Sequence, residues 1–383
     1  MLKQSKRSEV PAFIVMEVMR AAAQREYEQK AVYHLEVGQP GTAAPKLVRE
    51  AAKLALDQDR IGYTVALGIP ELREAIAQHY RVDYAIDVDP EDVIVTTGSS
   101  TGFMLSFLSA FDAGDRVALA APGYPCYRHI LNMLGVEPVL LETGPAERYQ
   151  PSIEKLEEAR QKGELDGLII ASPSNPTGTM LSDTEMRELV DYCHQHGIRL
   201  ISDEIYQGIS YGKPFQSALS QTKDALIINS FSKYFSMTGW RLGWLVMPKD
   251  LRRAIECLAQ NLFISAPTLS QIAAVKAFDA REELQQNLAA YKRNREVLLN
   301  ELPSLGFSKL APSDGAFYIY ADISDYSDDS KSFCERILND TGVAITPGLD
   351  FDPFNGHQTV RFSFAASYSE ITGAMEALKT FKK

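Results

Sequence analysis

From about residue 46 to residue 280, short runs of aliphatic and β-branched residues alternate with amphipathic stretches. Val93-Ile-Val-Thr96, Arg116-Val-Ala-Leu-Ala120, Val136 to Leu141, Gly167-Leu-Ile-Ile170, Ile198-Arg-Leu-Ile201, Ala225 to Asn229 and Gly243 to Met247 each predict a strand. Several are apolar throughout, as expected for strands buried on both faces. Between them the period lengthens: Lys46 to Leu56 places Leu47, Val48, Ala51, Leu54 and Ala55 on one helix face. The alternation predicts an α/β fold, a mainly parallel seven-stranded sheet covered by helices. Beyond about Arg281 the pattern changes. A long charged helix (Arg281 to Glu301) leads to strands near Ala316-Phe-Tyr-Ile-Tyr320 and Val360-Arg-Phe-Ser-Phe364. A last helix then repeats Ile371, Met375, Leu378 and Phe381. We expect a large domain over residues 46–280 and a smaller α+β domain formed by residues 1–45 and 281–383.

Composition narrows the function classes. A chain of 383 residues, 45% of them hydrophobic, can bury a large core. Its formal charge of −11 argues against nucleic acid or an anionic membrane surface as the partner. No apolar run approaches the roughly 18 residues that span a bilayer. Near the N-terminus, Pro11, Glu17 and Arg20 interrupt an apolar patch, so a signal peptide is not expected. Cys126, Cys193, Cys257 and Cys334 lack paired spacing and read as reduced thiols of a cytoplasmic protein. Cys193-His-Gln-His196 has no partner cluster, so no metal site is expected.

Candidate chemistry gathers where the strands end, the place at which open α/β sheets bind ligands. The richest segment, Ser230-Phe-Ser-Lys-Tyr-Phe-Ser-Met-Thr-Gly-Trp-Arg241, follows a strand. Lys233 has the amine needed to hold an aldehyde as a Schiff base, and Ser230, Ser232 and Arg241 suit a phosphate. Thr96-Thr-Gly-Ser-Ser-Thr-Gly102 enters a helix whose first amides, at Ser99 and Ser100, suit a phosphate or an ordinary cap. In Pro122-Gly-Tyr-Pro125, Tyr124 can stack on a flat ring or fill core. Asn175-Pro-Thr-Gly178 is a turn after a strand. Asp203-Glu-Ile-Tyr206 sets a carboxylate and a phenol three residues apart, for a site or for solvent. Arg361 interrupts an apolar strand, where a guanidinium needs a carboxylate, from a ligand or from a structural salt bridge. Leu35-Glu-Val-Gly-Gln-Pro-Gly41 and Gly62-Tyr-Thr-Val-Ala-Leu-Gly-Ile-Pro-Glu-Leu-Arg-Glu-Ala-Ile76 complete the set.

In this order, from about residue 30 to 365, these elements resemble the class I and II aminotransferases. Those are pyridoxal 5′-phosphate enzymes of the aspartate aminotransferase superfamily, fold type I. The resemblance implies that Lys233 carries the cofactor as a Schiff base and then serves as general base. It gives the phosphate to Ser99, Ser100, Ser230, Ser232 and Arg241, and the ring face to Tyr124. Asn175 and Tyr206 would meet the ring oxygen, while Asp203 would keep the pyridine nitrogen protonated so that the ring acts as an electron sink. Arg361, with Asn175, would grip the substrate carboxylate, and Gly38 would let the backbone approach it. Tyr63 would reach the phosphate of a neighbouring subunit, implying a homodimer with shared active sites. The implied reaction is ping-pong exchange of an amino group between an L-amino acid and a 2-oxo acid. A carbon–sulfur β-lyase of the same fold would keep nearly all of these residues. A cofactor-sensing regulator would need an N-terminal DNA-binding segment for which few residues precede the first matching block.

Two departures bear on the substrate. Gln39 and Gly41 stand where the family more often has Glu-Pro-Asp after the glycine. Asn261 stands where members that recognise dicarboxylates often carry a partner-subunit arginine, four residues before Ser265-Ala-Pro267. Specificity for aspartate through that arginine is therefore not expected. Phe13, Ile14 and Phe263 are candidates for a more apolar side-chain pocket.

Overall fold

The structure, a computed structural model, describes residues 2–58 and 61–381. Each predicted strand between residues 93 and 247 forms, with small shifts at its ends. After the short β1 (Tyr33–His34) come β2 (Val93–Thr96), β3 (Arg116–Ala121), β4 (Glu137–Glu142), β5 (Gly167–Ala171), β6 (Arg199–Asp203), β7 (Leu226–Ser230) and β8 (Gly243–Val246). β2 to β8 make one sheet in the order β2-β8-β7-β6-β5-β3-β4. β8 runs antiparallel to both neighbours, and the other pairings are parallel. The strands β2, β7 and β8 are buried at every position, which explains their largely apolar patterns. The chain runs outward from β3 to β4 and returns through β5, so a crevice opens beyond the ends of β3 and β5. That is the expected ligand position for such a sheet.

α1 (Ile14–Tyr27) lies apart, near the C-terminal strands; the helices around the large sheet are α2 (Lys46–Gln58), α3 (Pro70–Tyr84), α4 (Ser99–Ala110) and α5 (Pro125–Leu134), then others over Ile153–Arg160, Asp183–His196, Arg252–Leu262 and Thr268–Ala274. In α2 the buried stripe is Val48, Ala52 and Ala55. Leu47 and Leu54, expected on that face, are 41% and 54% exposed. The stripe is narrower than the one read from the sequence because small residues let α2 lie close on Thr268–Ala274.

After the long helix Arg281–Glu301, β9 (Tyr318–Asp322), β10 (Val343–Ala344), β11 (Thr346–Pro347) and β12 (Thr359–Ser363) appear. β12 lies between β11 and β9, antiparallel to both. The N-terminal segment joins this region, since β1 pairs in parallel with β10 and α1 packs on β11. α1 begins without a cap from its own neighbours. The Asp350 carboxylate supplies one instead, accepting the Ile14 amide on one oxygen and the Val15 amide on the other, each at 2.9 Å. No described helix is long and apolar enough to cross a membrane.

Candidate active site

A cavity of about 290 Å³ opens at the carboxyl edge of the large sheet, walled on its other side by α1 and β12. Of the residues singled out in the sequence, Gly38, Ser99, Ser100, Tyr124 and Asn175 line it, as do Asp203, Tyr206, Ser232, Lys233, Arg241 and Arg361. They arrive there because β2, β3, β5, β6 and β7 end side by side.

One end of the cavity is built for an anion. Gly98 caps α4 at φ +72 with no side-chain cap bond, leaving the helix's first amides open. A Cβ at Gly98 would strike the Arg241 guanidinium, so glycine is what lets that cation sit against the helix N-terminus. Arg241 Nη1 is held by the Thr238 carbonyl at 3.1 Å. Ser232 faces the same space, whereas Ser230 does not line it. The Ser230 hydroxyl lies beneath, accepting the Ser232 amide at 3.0 Å and donating to the Leu242 carbonyl at 3.3 Å. There it braces the loop that carries Lys233.

The middle of the cavity is enclosed and carries opposed charges. Burial, then repulsion from Arg361 and more weakly from Arg241, lowers Lys233 to about 8 against the pull of Asp203. Its Nζ donates to the Gly38 carbonyl at 2.5 Å. Burial raises Asp203 to about 6, opposed by a short hydrogen bond from the Tyr127 hydroxyl, the Ile205 amide at 3.1 Å and Lys233. Burial also pushes the Tyr206 phenol well above its ordinary value. An amine and a carboxylate brought this close to neutrality are suited to proton transfer near neutral pH.

At the far end Arg361 donates from Nη1 to Asn175 Oδ1 at 2.8 Å and from Nη2 to the Glu36 carbonyl at 2.5 Å. Its guanidinium lies between two rings, 4.4 Å from the centre of Tyr318 and 4.7 Å from that of Phe351. Its Nε is buried with no protein partner. The remaining wall is apolar: Phe13, Val15, Met16 and Met19 from the α1 region, and Val37.

Tyr63 is 83% exposed and does not line this cavity within one chain. Ile14 and Phe263 do not line it, and Asn261 donates to the Cys257 carbonyl at 2.8 Å on the surface. Among the described residues no group of His, Cys, Asp and Glu side chains could hold a metal ion. Tyr127, Tyr318 and Asp350 went unread in the sequence. Tyr127 follows Tyr124 by one helical turn, a spacing that pointed to the same face; the other two carried no local signal.

The residues present fit pyridoxal 5′-phosphate. The Gly98 cradle with Arg241 and the open α4 amides matches its phosphate, and the enclosed Lys233 amine matches its aldehyde. The orphaned Arg361 Nε lacks the acceptor that a substrate carboxylate would bring.

Comparison with known proteins agrees. The family profile described as aminotransferase class I and II matches residues 30–378. A valine–pyruvate aminotransferase of Mycobacterium tuberculosis is 51% identical over 97% of this chain and 96% of its own length. An aspartate/prephenate aminotransferase of Thermus thermophilus is 35% identical over 89% of each chain. Among solved structures, an aminotransferase from M. tuberculosis superposes with a TM-score of 0.96 at 49% identity, covering 99% of this chain and 98% of that one.

Proposed function

The chain belongs to the class I and II aminotransferases, pyridoxal-phosphate enzymes that move an amino group between an amino acid and a 2-oxo acid, and from that premise we propose how its own residues divide the work. When bound, the cofactor supplies the electron sink that makes the substrate Cα–H acidic. In our reading Lys233 holds it through Nζ. With the cofactor held there, the Nζ amine would be the group that takes a proton from the substrate Cα and later gives it up. A pKa near 8 suits that shuttle at neutral pH. Asp203, steadied by Tyr127, faces the ring nitrogen and keeps a proton there. Tyr206 and Asn175 hold the ring oxygen. Ser99, Ser100, Ser232 and Arg241 bind the phosphate, and Tyr124 covers a ring face. Arg361 takes the α-carboxylate, with Gly38 beside it.

We assign an apolar amino acid, with valine foremost, as donor and pyruvate as acceptor. The observation that carries this is the cation count: Arg241 is engaged at the phosphate end and Arg361 with the α-carboxylate. No third cation among the described cavity-lining residues is left for a side-chain carboxylate, apart from Lys233 itself. The relative named valine–pyruvate aminotransferase supports the choice. The test is an absorbance titration of holoenzyme. Valine should bleach the cofactor–lysine band and pyruvate should restore it, with aspartate much weaker. Aspartate outcompeting valine would overturn the assignment.

We also propose a cytoplasmic homodimer with shared sites, built on a large lobe of residues 46–280 and a smaller one of residues 1–45 with 281–383. Ile61, Tyr63 and Val65 are exposed beside Leu262 and Ile264. Thr268 Oγ1 and Gln271 Nε2 tie the first of these segments to the second region. Such an apolar patch marks an interaction surface. Mixing two inactive variants, Tyr63→Ala and Lys233→Ala, should restore activity, because each mixed dimer contains one intact site. No recovery in demonstrably mixed dimers would refute shared sites.

A further inference from the structure

The strand run Ala316-Phe-Tyr-Ile-Tyr320 places one hydroxyl where the mechanism above gives it no task. Tyr318 is buried in the wall of the cavity. Oη of Tyr318 lies 2.6 Å from Oη of Tyr206. The rings meet edge to face at 5.6 Å. The same ring supports Arg361 at 4.4 Å. Gly38, whose carbonyl receives Lys233 Nζ, lies so close that a Cβ there would strike the Tyr318 hydroxyl. One phenol therefore touches the surroundings of the lysine, of the ring-oxygen donor and of the carboxylate-binding arginine.

Each phenol has one proton, and either hydroxyl can donate to the other, so the surroundings decide between two arrangements. Among the described residues, the only hydrogen-bond partner of Tyr318 Oη is Tyr206 Oη, and the reverse also holds. If Tyr206 donated to Tyr318, the Tyr318 proton would be buried without an acceptor, a costly arrangement. If Tyr318 donates, both protons have a use, since that of Tyr206 then points into the cavity. Donation also makes the receiving oxygen a stronger donor in turn.

We propose that Tyr318 is a positioning residue that donates into Tyr206 and so aims and strengthens the hydrogen bond Tyr206 offers to the ring oxygen of bound pyridoxal phosphate. The inference rests on the reading above that Tyr206 faces that oxygen. A donor there stabilises the oxygen's negative charge and makes the lysine-linked nitrogen easier to deprotonate. Weakening the donor should therefore raise the pH at which that nitrogen loses its proton.

The test is the pH titration of the cofactor–lysine absorbance band in holoenzyme, for wild type, Tyr318→Phe, Tyr206→Phe and the double variant. Tyr318→Phe should raise the midpoint by about 0.5 to 1 pH unit, and Tyr206→Phe by more. In the Tyr206→Phe background, Tyr318→Phe should add almost nothing, because its route is gone. An unmoved midpoint in Tyr318→Phe, or a full additional shift in the double variant, overturns the proposal. If Tyr206→Phe alone leaves the midpoint unchanged, the assignment of Tyr206 fails instead. Thermal melts of the apoproteins identify any variant whose shift comes from misfolding.

Discussion

Removing the Asp350 carboxylate should unfasten the apolar wall of the site. Asp350 is 336 residues from Ile14 in sequence and caps α1 with both oxygens. No residue next to α1 offers a substitute cap. A capping carboxylate contributes about 1 to 2 kcal/mol, and its charge at the helix N-terminus adds some tenths more. Asp350→Ala should therefore cost about 2 kcal/mol of docking free energy, roughly a thirtyfold shift towards an undocked helix start. The segment released carries Phe13, Val15, Met16 and Met19, the apolar lining of the cavity. The residues proposed to anchor the cofactor and the carboxylate lie elsewhere, so the loss should fall on side-chain selection. Hydrogen exchange in the apoprotein reads the first link: the Ile14 and Val15 amides should lose protection by about the same factor, while those of β6 keep theirs. Steady-state kinetics reads the second: KM for valine should rise more than KM for alanine, with kcat for alanine nearly unchanged. Asp350→Asn, which keeps one acceptor oxygen, should lie between. Unchanged exchange at Ile14 and Val15 in Asp350→Ala would refute the reasoning at its root.

Three further outcomes follow from the same geometry. Uptake of pyridoxal phosphate by apoprotein needs a neutral amine, so its rate should climb with pH and reach half its maximum near 8. A midpoint near that of an ordinary lysine would contradict the enclosed environment of Lys233. Arg361→Lys should raise KM for every amino acid donor by about tenfold or more. Lysine has no guanidinium fork and no plane to lie between Tyr318 and Phe351, and equal KM values would exclude the carboxylate role. Glu204 is buried against Ser202, Ser217 and the Ala218 amide, and burial raises it from 4.5 to about 7. The folded protein then holds this proton more tightly than the unfolded chain, so the contribution to stability is present at low pH and lost as pH rises from 4.5 through 7. Glu204→Gln should consequently raise the melting temperature at pH 8 and leave it nearly unchanged at pH 5.

The architecture was legible because interior parallel strands must be apolar on both faces, and the runs at 167–170 and 225–229 look like nothing else. The site was legible because its residues sit where those runs stop. Errors arose where the deciding partner lies far away in sequence. Leu47 and Leu54 share a helical period with Val48, yet packing distance, set by Ala52 and Ala55, decided which face went inward. Ser230 carries the right chemistry beside Lys233, and its bond to the Leu242 carbonyl across the loop had no local signal. Tyr318 looked like one aromatic among several in an apolar strand. Only the pairing of β9 with β12, which sets Tyr318 opposite Ser363 and close to Arg361, gives its hydroxyl a meaning.

The antiparallel strand β8 has a bearing on how this site can be altered. Ser230, the last residue of β7, is paired with Gly243, the first of β8, and the Phe231 amide bonds the Leu242 carbonyl at 3.1 Å. The segment between them, which carries both Lys233 and Arg241, is thus a closed loop fastened at its neck. Its span is fixed by the ladder, and Gly243 leaves no room for a side chain, since a Cβ there would lie 2.8 Å from the Asn229 carbonyl oxygen and 3.0 Å from the Ser99 amide. An added or deleted residue could not be absorbed by sliding a strand and would instead change the separation of the amine from the cation. Side chains in that loop should exchange more readily than its length, so redesign of this enzyme should keep the loop's residue count and vary the wall.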